Sequence, residues 1–133
     1  MATTEFHTDT SRRFIEQAED ELRRGDGLQA SEKAWGAAAH AVKSIAELHD
    51  WPHERHGHLY NAIFAIRDST GDKEIETLFR LAGGLHQNFY EGWYDQDAIA
   101  TGITEVKKLI AKLDAAYPDL RLSHPEDANA GRT

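Results

Sequence analysis

The sequence predicts an all-α protein, an up-and-down antiparallel bundle of about five helices. Three observations carry this reading. Apolar residues recur at steps of three and four through most of the chain, the period of one helix face. Turn residues cut that pattern into five segments. No segment alternates with period two for long enough to make a strand.

The first helix is expected from about Ser11 to Arg24, with Thr8, Thr10 and Ser11 as candidate N-caps and Gly25-Asp26-Gly27 as its stop. Ile15, Ala18 and Leu22 make its inward stripe, with Phe14 beside them. The second is expected from about Leu28 to His49, on a stripe of Leu28, Trp35, Ala38, Val42 and Ile45. Its alanines at 34, 37, 38, 39 and 41 let a neighbouring helix come close. Trp51-Pro52 opens the third, since proline suits a first turn. That helix carries Leu59, Ala62, Ile63 and Ile66 and stops near Ser69-Thr70-Gly71. Asp72 caps the fourth, with Ile75, Leu78, Ala82, Leu85 and Phe89 as its stripe. Asp95 or Asp97 caps the fifth, with Ile99, Ile103, Val106, Ile110 and Leu113. Short connections make successive helices antiparallel. One domain is expected over 11–117, between a flexible N-terminus (1–10) and a polar, disordered tail (118–133).

Composition narrows the function classes. The absence of cysteine excludes disulfides, thiolate metal sites and cysteine nucleophiles. A net charge of −8 argues against a stable grip on DNA, because such affinity comes from Lys and Arg displacing counterions. No apolar run approaches the ~20 residues of a membrane span. The polar stretch Met1 to Arg13 has no apolar signal core, so a cytoplasmic protein is expected.

The fourth helix is the most informative stretch. Gly83 and Gly84 sit in its middle, each costing about 1 kcal/mol against alanine. His86 lies beside the core stripe, in line with Phe79, Gly83, Tyr90 and Trp93. Arg80 precedes it by six positions, roughly 120° around an ideal helix. For both to reach one phosphate, the glycines must distort the helix, Arg80 must reach far, or a partner subunit must supply one group. In a purely structural reading, His86 is a half-buried histidine bonded to a neighbouring helix and Arg80 pairs with Glu76, four residues back.

The residues Glu32-Lys33-Ala34-Trp35-Gly36-Ala37-Ala38-Ala39-His40-Ala41-Val42-Lys43, followed by Leu85-His86-Gln87-Asn88-Phe89-Tyr90-Glu91, resemble the PaREP-type branch of the HEPN superfamily. Arg80 and His86 fit that superfamily's Arg-x(4–6)-His motif, and the resemblance spans roughly residues 11–115. It implies a helical bundle that dimerises. In active members, Arg and His of both protomers line a cleft and cut RNA without metal; other members bind nucleotides or partner proteins. The position after the arginine is often polar in active members, and here it is Leu81. Carried onto this chain, Arg80 and His86 are the candidate catalytic residues. His86 would move a ribose 2′-hydroxyl proton and Arg80 would neutralise charge on the phosphate. Asn88, Tyr90 and His40 are the candidate ligand-binding residues.

Three functions follow as alternatives. A metal-independent ribonuclease of the toxin or defence type requires Arg80 and His86 in one open cleft; an antitoxin-like protein, of the nucleotidyltransferase type, belongs with it. A non-catalytic module for a nucleotide or a partner protein requires a pocket at His86, Asn88 and Tyr90 with Arg80 turned away. A plain interaction dimer requires His86 buried and satisfied. Four histidines fall between 49 and 58, and His53 and His56 are spaced to share a helical face. The chain offers no obvious third or fourth ligand for them, so no metal or cofactor is expected. His40 would interest the site only if it faced His86.

Overall fold

The computed structural model describes residues 3–122. Five helices follow one another: α1 (Thr3–Arg23), α2 (Gly27–Leu48), α3 (His56–Thr70), α4 (Glu74–Glu91) and α5 (Gln96–Ala116), and a single 3-10 turn covers Pro118–Leu120. They pack antiparallel as an all-α bundle with no strand among the described residues. No helix among the described residues is long and apolar enough to cross a membrane.

The centre of the bundle is α2, which packs against all four other helices. Its composition explains this position. Ala30, Ala34, Ala37, Ala38, Ala41 and Ala46 are fully buried, so neighbouring helices meet a surface without bulky side chains. The expected stripes of α3 and α5 are buried in full. Asp95 caps α5 by accepting from the Ala98 N–H at 2.8 Å, and Asp26 caps α2 from the Gln29 N–H at 3.1 Å.

Four expectations need correction. The first helix begins at Thr3, not near Ser11, so 3–10 are helical rather than a flexible end. His7, Thr8, Thr10 and Ser11 are buried, and Ser11 donates to the Ala37 carbonyl of α2 at 2.7 Å. The Thr8 hydroxyl is spent inside the helix on the Thr4 carbonyl and that of Ser11 across the interface, while the Thr10 hydroxyl is buried without a hydrogen-bond partner among the described residues. The third helix begins at His56, not at Trp51-Pro52. Asp50 takes a left-handed conformation at φ 57°, and Trp51 stacks on His49 at 4.3 Å, which holds 49–55 as a loop. Leu28 is exposed, while Phe79 is fully buried and replaces the half-buried Phe89 in the core. The tail is structured as far as Leu122, which is buried and whose N–H is held by Asp114 at 2.8 Å. The rest of that expected tail, 123–133, lies outside the described residues.

Candidate functional site

The helix α4 runs unbroken through Gly83-Gly84. The glycines make room for two tyrosines. A Cβ on Gly83 would lie 3.2 Å from the Tyr60 hydroxyl, and one on Gly84 only 2.7 Å from that of Tyr94. Beside this thin stretch an open cleft of about 360 Å³ lies between α2, α3 and α4. Arg80, His86, His56 and Tyr60 line it, with Trp35 and the two glycines as its apolar parts.

Within this cleft His86 is held firmly. Its Nδ1 lies 2.8 Å from a carboxylate oxygen of Glu32 on α2. A carboxylate only accepts, so Nδ1 carries the hydrogen and Nε2 keeps its lone pair when the ring is neutral. The ring packs against Trp35 at 5.4 Å, and His56 and Tyr90 meet it edge-on at 5.1 and 5.4 Å. About a quarter of the side chain remains exposed.

Arg80 is more open, with 59% of its side chain exposed. Its Nε and Nη2 donate to one oxygen of Glu76 at 2.9 and 2.7 Å, and its guanidinium carbon lies 5.9 Å from the Tyr60 ring centre. Arg67 of α3 donates to the other Glu76 oxygen at 2.5 Å. Hydrogen bonds from Arg67 first, then Arg80, hold the Glu76 carboxyl below its ordinary pKa. Arg80 is turned back onto Glu76 and His86 is bonded to α2, the pairings of the purely structural reading, yet both side chains line the one cleft and α4 is not distorted.

The three residues expected to bind a ligand go elsewhere. Asn88 is fully buried, donating to the Ser31 hydroxyl and accepting from the Tyr94 N–H, both at 2.8 Å. It ties the end of α4 to α2 next to Glu32, and nothing can reach it from solvent. Tyr90 is 71% exposed and touches His86 from outside the cleft lining. His40 does not face His86: its Nδ1 pairs with that of His7 on α1 at 2.8 Å. The histidine run disperses as well. His56 goes to the cleft, His53 to Glu47, and His49 to Trp51. His58 accepts from the backbone N–H of Glu54 and Arg55 at the start of α3.

Glu32, His56 and Tyr60 were missed from the sequence. Glu32 lies three residues before Trp35 and so shares its side of α2, a weak signal that an acid faces the interior. The pairing of α2 with α4, which sequence spacing does not report, turns that signal into a contact.

Fold and site together define a class: a five-helix bundle with a carboxylate-held imidazole and a solvent-facing arginine in one open cleft. The profile of the archaeal PaREP1/PaREP8 family matches residues 6–110, and the chain belongs to that family. Its fold is similar to the crystal structure of a protein from Sulfolobus solfataricus, with a TM-score of 0.72 and 24% identity over 81% of this chain and 96% of that one. No curated protein matches the chain.

Proposed function

We propose that this protein is a metal-independent endoribonuclease of the HEPN type, acting in the cleft between α2, α3 and α4. The observation that supports it best is that Arg80 and His86 line the same open cleft, with His86 Nδ1 fixed by Glu32. That bond leaves Nε2 to take the proton of a ribose 2′-hydroxyl. The 2′-oxygen attacks phosphorus and the bond to the 5′-oxygen breaks. His56, in the same cleft, gives a proton to the leaving 5′-oxygen; the products are a 2′,3′-cyclic phosphate and a 5′-hydroxyl. Arg80 shares its charge with Glu76, and its remaining N–H donors are open to an entering phosphate. Tyr60, part-exposed in the cleft, offers a face against which a base can pack. The acidic charge of the chain suits transient handling of RNA better than tight retention.

The proposal includes a homodimer. Tyr90 and Trp93, exposed at the end of α4 and just past it, are the surface we assign to the two-fold contact. Sedimentation of the wild type as a dimer and of Trp93→Ser as a monomer is expected; a monomeric wild type removes this part. An antitoxin-like protein partner is expected only if the chain cuts RNA.

The test is cleavage of a mixed RNA pool in EDTA by the wild type and by His86→Ala. Cleavage by the wild type that the variant loses is the expected result. No cleavage by folded wild-type protein overturns the ribonuclease reading, and RNA or nucleotide binding without turnover would then point to the non-catalytic module.

A further inference from the structure

A second cluster of ligand-bearing side chains lies away from the cleft, where α1, α2 and the α2–α3 loop meet. His7 comes from α1, Glu47 from the last turn of α2, and His53 from the loop. One donor atom from each falls within 4.8 Å of the other two. These residues are 40 and 6 positions apart in sequence (47 − 7 and 53 − 47), so tertiary packing, not local spacing, brings them together.

We propose that His7, Glu47 and His53 bind one divalent transition-metal ion of the zinc type. Two imidazole nitrogens and one carboxylate oxygen are a ligand set such an ion accepts, with a position left for water. His7 is 8% exposed, and its Nδ1 is already bonded to His40 Nδ1 at 2.8 Å. Nε2 is therefore its free nitrogen. The His53 Nε2 lies 2.6 Å from Glu47 Oε2, closer than two ligands of one ion sit. Binding replaces that hydrogen bond by two metal bonds, and both side chains have the freedom for it, at 21% and 31% exposure.

Phe6 and Phe14 meet the His40 ring edge-on at 6.1 and 5.6 Å and shield this side. The opposing group is Lys43, whose charge faces His7 and His40. Its flexible stem lets the ammonium swing outward, and its repulsion weakens cation binding.

This site is independent of RNA cleavage, which is proposed to need no metal. The experiment is calorimetric titration of zinc and cobalt into the full-length, tag-free, EDTA-stripped protein. We expect one ion per chain, a higher melting temperature, and a cobalt d–d absorption with the intensity of four- or five-coordinate cobalt. His53→Ala and Glu47→Gln change half-exposed side chains and are expected to fold. Each should weaken binding at least about tenfold. Absence of one-to-one binding overturns the proposal, as does binding that His53→Ala and Glu47→Gln leave unchanged.

Discussion

Two imidazole–carboxylate pairs hang on α2: Glu32 with His86 near its start, and Glu47 with His53 at its end. They stand 47 − 32 = 15 residues apart, about 22 Å along the axis. The hydrogen bonds are alike at 2.8 and 2.6 Å, and the side chains are similarly exposed. The surroundings separate them. Around His86 are Arg80, two tyrosines and an open cleft, an arrangement for a flat anionic ligand. Around His53 are the Glu47 carboxylate and, within 4.8 Å, a second imidazole, that of His7, an arrangement we assign to a cation. The same residue pair therefore takes its chemistry from the third and fourth groups brought to it.

The largest expected effect comes from His86→Ala, which should lower RNA cleavage by at least about 100-fold if His86 moves the proton. A smaller loss, read from initial rates, would make the two clusters equally inert and break the comparison. Asn88→Ala acts next, through geometry. It leaves the Ser31 hydroxyl and the Tyr94 N–H without their partner and frees the end of α4 from α2 beside Glu32. About 2 kcal/mol of stability should be lost in urea denaturation, with cleavage falling too. Unchanged stability would mean that Asn88 does not hold the cleft together.

Glu32→Gln keeps an acceptor for His86 Nδ1–H but replaces a charged acceptor by a neutral one, a weaker hydrogen bond. About a tenfold loss of cleavage with little change in stability is expected, equal to about 1.4 kcal/mol in the barrier. Loss of folding instead would show Glu32 to be structural. The smallest effect is the acid titration of Glu76. Arg67 and Arg80 depress its folded pKa below 4.5, so the stabilisation is present above pH 4.5 and fades as pH falls through the lower folded value. Melting temperatures measured from about pH 5 down to about pH 3 should fall less steeply for Glu76→Gln than for the wild type. Parallel curves would mean that neither arginine engages Glu76 in solution.

Much of the fold was legible because the core stripes are regular. Val106, Ile110 and Leu113 recur at steps of four and three, and such a row has one inward face. The end of α1 near Thr3 was not legible, since His7, Thr8 and Thr10 are polar yet buried. Their burial depends on α2 alanines small enough to let α1 lie close. Of the residues singled out from the sequence, Arg80 and His86 line one cleft, whereas Asn88 and His40 lie away from it. A side chain's role depends on what stands across the interface: Ser31 for Asn88, His7 for His40.

By itself the sequence determined the class of the molecule, the number of its helices, and the inward faces of α3 and α5. Those follow from periodicity and residue type, which are local properties of a chain. Only the tertiary structure decided that Glu32 holds His86, that Arg80 reaches the same cleft, and that His7, Glu47 and His53 converge. Each of those contacts joins different helices or loops, and which helix packs on which is settled by how closely the alanine surface of α2 lets the others approach.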